Sequence, residues 1–409
     1  MGIRESFDGK RILIWGYGRE GKSTEKFLKS HSAPANIDIY EGSRDGINED
    51  NYDLIIKSPG IVMPEDDPKY TSQTEIFLEE YRGRTVGITG TKGKSTTSAM
   101  LYSVLKGCGK DALLVGNIGQ PCLDDWDDIR TDTVVVFEMS CHQLEHCHVS
   151  PHIAVFLNLY EEHLDHYGTL DKYFEAKSHI ASFQESGDVF LSGWNVPDIK
   201  TEAKIVRIGK FPEHNWELAV NGVQNMYNAE VVRYIAVDLL HLGENEVKRE
   251  LESFSGLPHR LQDIGTVGGL RYLDDSISTI PEATIAAVES ISDAATVLVG
   301  GMDRGINYDL LVDFIRKTAD VNFVCSYASG LRIYNEVQSF PATAVYAAGR
   351  DVPYRNCYYV NDLEAQVKLA GEITPAGGAV ILSPAAASYG YFKNFEERGD
   401  VFRELVYKR

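Results

Sequence analysis

The densest chemical signal in the chain is a glycine-framed lysine pair followed by hydroxyl residues, Gly90-Thr91-Lys92-Gly93-Lys94-Ser95-Thr96-Thr97. Backbone N–H groups in such a loop, backed by the dipole of a helix that starts behind it, hold phosphates. In that setting Lys94 reaches the β- and γ-phosphates of a nucleotide and the Ser95 hydroxyl holds Mg²⁺. Ile88 stands where G-x-x-x-x-G-K-[ST] has its first glycine. The bland alternative is a glycine turn beside solvated lysines; the loop with the helix behind it points to an ATP site. Glu138, at the tip of a β-branched run, supplies the carboxylate that Mg²⁺ beside a phosphate loop needs. His163 and Lys177 lie further on, and taken alone they read more readily as a solvated loop histidine and a helix-surface lysine.

Strands and a helix must hold these groups in place. Residues 84–89 form a short β-branched run leading into the loop, and a helical pattern follows with Met100, Leu101, Val104 and Leu105 on one face. Residues 133–137 predict a buried strand ending on Glu138-Met139-Ser140, and 153–157 another, ending in Asn158-Leu159-Tyr160-Glu161-Glu162-His163. Upstream, residues 11–16 predict a buried parallel strand. It is followed by Gly16-Tyr17-Gly18-Arg19-Glu20-Gly21, and a second strand (37–41) closes on Glu41. This is the G-x-G-x-x-G fingerprint with a carboxylate for a sugar or base. It fits NAD, yet no dehydrogenase chemistry accompanies it. A third strand, 53–57, runs into Ser58-Pro59-Gly60-Ile61, the kind of sheet-end loop at which such folds bind ligands.

Cys141-His142 and His146-Cys147-His148 invite a zinc reading, but their intervals are too tight for C-x₂₋₄-C…H-x₃₋₅-H. A helix after the Glu138 strand, bearing partly buried histidines, is expected instead. Asn225 and Asn228 share one side of a helical start, suited to a purine edge or to capping. A Gly/Pro break at 255–260 follows a helix at 247–254. The remainder alternates strand and helix, with strands at 270–273, 296–299, 321–325, 343–347 and 379–382.

A chain of 409 residues exceeds one ordinary core. Its net charge of −20 opposes a nucleic-acid partner. No apolar run approaches the ~18 residues of a membrane span, and the N-terminus lacks the apolar core of a signal peptide. The six cysteines form no CxxC pair or dense framework, which points to free thiols in a reducing compartment. A cytoplasmic α/β protein with small-molecule substrates, no nucleic-acid or membrane partner, and a monomeric state is expected.

Taken in order, the residues resemble a known family, the Mur ligases, in its glutamate-adding branch. The resemblance runs collinearly through Ser58-Pro59-Gly60-Ile61, the 90–96 loop, Gly116-Asn117-Ile118-Gly119, Glu138-Met139-Ser140 and Glu162-His163-Leu164-Asp165. It continues through Gly256-Leu257-Pro258-His259-Arg260, Asp275-Ser276, Ser383-Pro384-Ala385-Ala386-Ala387-Ser388 and Phe392-Lys393-Asn394-Phe395-Glu396-Glu397-Arg398-Gly399. It implies three α/β domains: a Rossmann/flavodoxin-like UDP-substrate domain (1–83), a central P-loop ATPase domain (84–256) and a Rossmann-like glutamate-binding domain (257–409). It also implies ATP-dependent amide formation through an acyl-phosphate on a UDP-muramoyl-alanine, D-glutamate being favoured and L-glutamate the alternative.

The same resemblance carries roles residue by residue. Lys94, Glu138, His163 and Lys177 are implied as catalytic. Gly90, Thr91, Lys92, Gly93, Ser95, Thr96, Asn225, Asn228, Arg260 and Asp275 are implied for ATP. Gly16, Gly18, Glu41, Ser58, Pro59, Gly60, Asn117 and His163 are implied for the UDP-sugar, replacing the NAD reading. Two Mg²⁺ are implied, one on Ser95 and Glu138, the other on His163 and a carbamylated Lys177. For glutamate the implied residues are Thr279, Arg304, Ser388 and Phe395. Departures fall in the last domain. Asp275-Ser276-Ile277-Ser278-Thr279 stands where the D-glutamate ligases usually have Asp-Ser-Lys-Ala-Thr. Gly300-Gly301-Met302-Asp303-Arg304 replaces a Gly-Gly-Asp-Gly-lysine segment. An arginine fork still grips a carboxylate bidentately. A folylpolyglutamate-type ligase and a non-catalytic nucleotide-binding module are the remaining alternatives. The first would not need the glycine fingerprint and Ser58-Pro59-Gly60 ahead of the phosphate loop. The second would be expected to have lost metal ligands.

Overall fold

A computed structural model describes residues 3–63, 67–211, 213–214, 216–220, 223–339 and 356–409. Continuous apolar runs make parallel strands buried on both faces, as in β7, where Val135, Val136 and Phe137 are all fully buried. The first sheet has order β2-β1-β3-β4, with β1 (Arg11–Trp15), β2 (Asn36–Tyr40), β3 (Leu54–Lys57) and β4 (Tyr70–Ser72) all parallel. The second comprises β5 (Thr85–Thr89), β6 (Ala112–Gly116), β7 (Val134–Glu138), β8 (Ile153–Phe156), β9 (Val189–Gly193) and β10 (Lys204–Ile208). Its order is β10-β9-β8-β5-β7-β6, again parallel throughout.

The third sheet contains β11 (Gln262–Val267), β12 (Leu270–Asp274), β13 (Ala294–Val299), β14 (Asn322–Cys325), β15 (Cys357–Tyr359) and β16 (Ala379–Leu382). Its order is β11-β12-β16-β13-β14-β15, and only the edge strand β11 is antiparallel to its neighbour.

By density of contacts the chain divides into two compact units, Met1–Phe254 and Ser255–Arg409. The first unit contains two sheets, and one apolar cluster runs through both. Phe77 from the first sheet's helix meets Phe137 of β7 edge-on (centroids 5.6 Å apart), and Phe27 packs on Trp126 at 4.7 Å. In the second unit, Val297, Phe323 and Ile333 are fully buried on one side of the sheet, and Tyr272 packs on Phe402 on the other.

The strands anticipated at 11–16, 37–41, 53–57, 84–89, 133–137, 153–157, 270–273, 296–299, 321–325 and 379–382 are present, with ends moved by a residue or two. The strand expected at 343–347 lies outside the described residues. β4, β6, β9, β10, β11 and β15 were not anticipated: β4 and β15 are only three residues long, and β10 is an edge strand with exposed Lys204 and Ile205. The helix expected after Glu138 is a correction of length. It spans only Cys141–Leu144, because the Ser140–Gln143 capping box starts it and the chain turns out after Glu145, leaving His146 and His148 beyond it. Among the described residues no helix is long and apolar enough to cross a membrane. All six cysteines are free.

Candidate active site

The phosphate loop bridges the end of β5 and the helix Lys94–Gly107. Gly93, the residue before that helix, is left-handed (φ 86°), and a Cβ there would come within 2.9 Å of Asn228 Oδ1. Glycine is therefore required twice over, by backbone and by space. The close approach also brings Asn228, buried on the helix Val223–Arg233, against the loop. Its amide donates to Asn225 Oδ1 at 3.4 Å and accepts from Gln224 at 3.2 Å.

Asn158, which follows β8, clamps the loop from the other side. Its Oδ1 accepts from Lys92 N at 2.8 Å and its Nδ2 donates to Lys92 O at 2.9 Å. Thr91 Oγ1 accepts from Tyr160 N at 3.0 Å and Lys92 pairs with Glu162 at 2.7 Å.

Lys94 Nζ donates to the loop's own carbonyls, Gly90 O at 2.8 Å and Thr91 O at 3.0 Å. Burial lowers its pKa below the usual lysine value, against the pull of Glu138. Glu138, fully buried at the tip of β7, accepts on one oxygen from Asn117 Nδ2 (3.0 Å) and Ser95 Oγ (3.2 Å). Its other oxygen, Oε2, is buried with no hydrogen-bond partner. An orphaned buried carboxylate oxygen beside a serine hydroxyl is a hard-oxygen donor set of the kind Mg²⁺ takes.

Lys177 is 1% exposed, so the helix-surface reading of it is corrected. It lies on the inward face of the helix Leu170–Ser182, its Nζ donating to Gly90 O (3.0 Å) and Thr89 Oγ1 (3.4 Å), 4.8 Å from the Tyr173 ring. Burial first, and the neighbouring Lys94 second, push its pKa down to about 7. His163 is exposed and holds a left-handed backbone (φ 56°), a conformation that in a non-glycine residue often marks a functional position.

A cavity of about 310 Å³ gathers Lys94, Asn117, His163 and Lys177 with Pro59. It also brings in Ser140, Cys141 and His142, and with them Glu20, Gln143 and Tyr173, to which sequence reasoning gave no role. Glu20 sits inside the glycine fingerprint and accepts from Gln143 Nε2 at 2.8 Å; burial pushes its pKa up to about 6. His142 is driven down to about 4 by burial and by its neighbours His166 and His163. The fingerprint itself could have flagged Glu20, since a carboxylate there is aimed at the same sheet end.

The remaining first-unit residues, Thr96 apart, sit at the carboxyl ends of β1, β2 and β3. Gly16 is left-handed (φ 90°), and its carbonyl accepts from Ser58 Oγ at 2.9 Å. Gly18 caps the helix Arg19–His31, while Glu41 follows β2, exposed. Pro59 and Gly60 continue the turn after Ser58, and Thr96 lies in the first turn behind the loop.

In the second unit, loops after the neighbouring strands β12, β16 and β13 converge. Asp275 is buried, accepting from Ser383 Oγ (2.8 Å) and Leu261 N (3.2 Å), and burial pushes its pKa up to about 6. Arg304 Nη2 donates to Thr279 O at 3.1 Å, and Met302 N bonds Ala387 O, next to buried Ser388, at 2.8 Å. Phe395 lies edge-on to His259, 6.1 Å between centroids, and Arg260 is exposed. Beneath them the buried Arg398 ties Ser276 Oγ (3.0 Å), Ser276 O (2.7 Å) and Ala386 O (3.0 Å) together.

Comparison with known proteins gives the following likenesses. Residues 88–215 match the Mur ligase middle domain family. The chain is 27% identical, over 98% of both chains, to a UDP-N-acetylmuramoylalanine–D-glutamate ligase of Pelotomaculum thermopropionicum. It is 29% identical to the ligase of the same name from Ligilactobacillus salivarius, over 100% of this chain and 98% of that one. A UDP-N-acetylmuramoyl-L-alanine–L-glutamate ligase of Salinispora tropica is 28% identical over 97% of both. In fold, the chain resembles the UDP-N-acetylmuramate–alanine ligase of Thermotoga maritima (TM-score 0.59, 18% identity, 98% and 99% covered). It also resembles the MurF ligase of that organism solved with ADP (TM-score 0.54, 15% identity, 97% and 95% covered).

Proposed function

We infer that the chain, with a match to the Mur ligase middle domain at 88–215 and likeness to glutamate-adding ligases along its whole length, is a Mur ligase. From that premise we propose that it joins glutamate to UDP-N-acetylmuramoyl-L-alanine at the expense of ATP, in cytoplasmic peptidoglycan precursor synthesis. The observation that carries this reading is the cavity where Lys94, Asn117, His163 and Lys177 meet beside the buried Glu138.

The substrate carboxylate attacks the γ-phosphorus of ATP, and ADP leaves with the bridging oxygen's electrons. The glutamate amine then adds to the acyl carbon, loses a proton, and phosphate departs as the amide forms. Lys94 exchanges its loop carbonyls for phosphate oxygens and meets the charge that builds on the transferring group. The amides of Gly90, Thr91, Lys92, Gly93, Ser95 and Thr96 cradle the phosphates. Asn225 and Asn228 serve the adenine, and Arg260 and Asp275 the ribose and phosphates.

Ser95 and Glu138 would hold Mg²⁺, which supplies charge compensation to the phosphates when bound. His163 would hold a second ion together with Lys177, provided Lys177 is carbamylated, because an ammonium repels the metal while a carbamate oxygen binds it. Asn117, with Gly16, Gly18, Glu41, Ser58, Pro59 and Gly60, takes the UDP-sugar. Thr279, Arg304, Ser388 and Phe395 take the glutamate. The domain limits 1–83, 84–256 and 257–409 and a monomeric state belong to the same reading.

Oxygen-isotope label placed in the substrate carboxylate tests the acyl-phosphate route. Label appearing in the released phosphate supports it, and label retained wholly in the amide and unreacted acid refutes it.

D-glutamate is the favoured acceptor. L-glutamate is a second reading, supported by Ile277 and Arg304 in place of two lysines and by the likeness to the Salinispora tropica ligase.

A further inference from the structure

Next to the candidate active site, His142, Glu145 and His166 each offer one ligand atom within 4.8 Å of the others. They come from two short helices, Cys141–Leu144, for which Glu145 is the C-cap, and Leu164–Tyr167. Intervals within 141–148 are too tight for a zinc motif, but the third ligand here, His166, comes from outside that segment. Glu145 Oε2 and His166 Nε2 are already 3.3 Å apart. Around a tetrahedral zinc ion at ~2.0–2.1 Å from its ligands, ligand atoms stand roughly 3.4 Å from one another. One edge of the site is thus at ligand spacing, and the other ligand atoms lie within 4.8 Å of one another.

The three residues are partly buried, with side chains of His166 and Glu145 14% and 17% exposed. The His142 ring is held in place, since Tyr167 stacks on it (5.7 Å between centroids, 14° between planes) and the tyrosine hydroxyl lies 3.3 Å from Nδ1. Outer partners of this kind fix a ligating imidazole. A separate cavity of about 390 Å³, lined by Val62, Glu145, His166 and Lys172 among others, gives an ion a route in and leaves room for a water as fourth ligand.

We propose that His142, Glu145 and His166 form a binding site for a zinc-class divalent ion, distinct from the oxygen-only Ser95–Glu138 pair that suits Mg²⁺. Two imidazoles and one carboxylate are the donor set such ions take, whereas magnesium prefers oxygen alone. His142 also lines the candidate active-site cavity, so an occupied site fixes part of that wall. A rival set, Cys141, His142 and His163, shares His142 but contains a thiol.

The test uses the full chain titrated with Zn²⁺ by calorimetry and with Co²⁺ by visible absorption. His166→Ala, Glu145→Gln and Cys141→Ser are compared with the wild type, and thermal melts without metal verify folding. Expected is a single Zn²⁺ per chain, with binding weakened about 100-fold or more in His166→Ala and Glu145→Gln and unchanged in Cys141→Ser. Bound Co²⁺ should show tetrahedral d–d bands without a sulfur-to-cobalt charge-transfer band. Unchanged binding in a folded His166→Ala variant overturns the proposal. So does a charge-transfer band that vanishes in Cys141→Ser, which assigns the metal to the rival set, and so does no binding at micromolar zinc.

Discussion

Lys177 Nζ donates to the Gly90 carbonyl oxygen at 3.0 Å, so a lysine from a distant helix is fastened to the first residue of the phosphate loop. The contact takes an amine almost wholly out of water, and with Lys94 nearby its pKa falls to about 7 from the ordinary 10.5. Only a neutral amine adds to carbon dioxide, and the carbamate releases a proton as it forms. Ligase activity should therefore rise with added bicarbonate and fall as pH drops below about 7. Assays in carbon-dioxide-depleted buffer check this; equal rates with and without bicarbonate would remove the carbamate from the account.

The same residue sets a stability trend. Between its folded pKa of about 7 and its unfolded value of 10.5, the unfolded chain binds more protons than the native one. By linkage, Lys177 makes stability rise with pH across that window. Urea unfolding from pH 7 to 10 should show this slope in the wild type and a shallower one in Lys177→Met.

Glu138→Gln keeps the shape of the site and removes a charge. Its buried Oε2 has no hydrogen-bond partner, so the fold should lose little, with a Tm close to wild type. Turnover should drop by roughly 10²–10³-fold, the usual cost of deleting a charge-stabilising group. A matched Tm and steady-state comparison decides it.

Asn158→Ala removes both bonds to the Lys92 backbone. Two part-buried hydrogen bonds are lost, which at ~0.5–1.5 kcal/mol each should cost about 1–3 kcal/mol of stability. The loosened loop should raise KM for ATP more than it lowers kcat. Calorimetry and initial rates at varied ATP measure the two effects separately.

How much of this was legible in the sequence follows from how local each cause is. The strands β1, β7, β8 and β16 announce themselves because buried parallel strands are continuous apolar runs, and β5 does so as a β-branched run leading into a loop whose glycines lie three residues apart. Gly93 is legible for the same reason. Asn158 was not, because its partner Lys92 lies on another strand's loop and a lone asparagine carries no pattern. Lys177 alone read more readily as a surface lysine, since its burial depends on packing of the helix against β5. The edge strand β10 escaped notice because Lys204 and Ile205 are both exposed, giving neither an alternating nor a continuous pattern. Ile277 and Arg304 were visible as departures, yet their effect on a glutamate pocket depends on loops gathered from three strands.

Arg304 carries the acceptor prediction. It is exposed and donates to the Thr279 carbonyl, leaving its guanidinium further donors for a carboxylate. Arg304→Ala should raise KM for glutamate by about 10–100-fold with little change in KM for ATP, while Arg304→Lys should recover part of the loss. A rise in both KM values alike would place Arg304 outside the glutamate pocket.

Phosphate release with ATP, Mg²⁺ and UDP-N-acetylmuramoyl-L-alanine, run in parallel with D-glutamate and L-glutamate, tests the central claim most directly. Release should require both the UDP-sugar and glutamate, with D-glutamate the faster acceptor. Release with L-glutamate alone would reassign the acceptor to a pocket altered at Ile277 and Arg304. Silence with both stereoisomers would contradict the ligase itself.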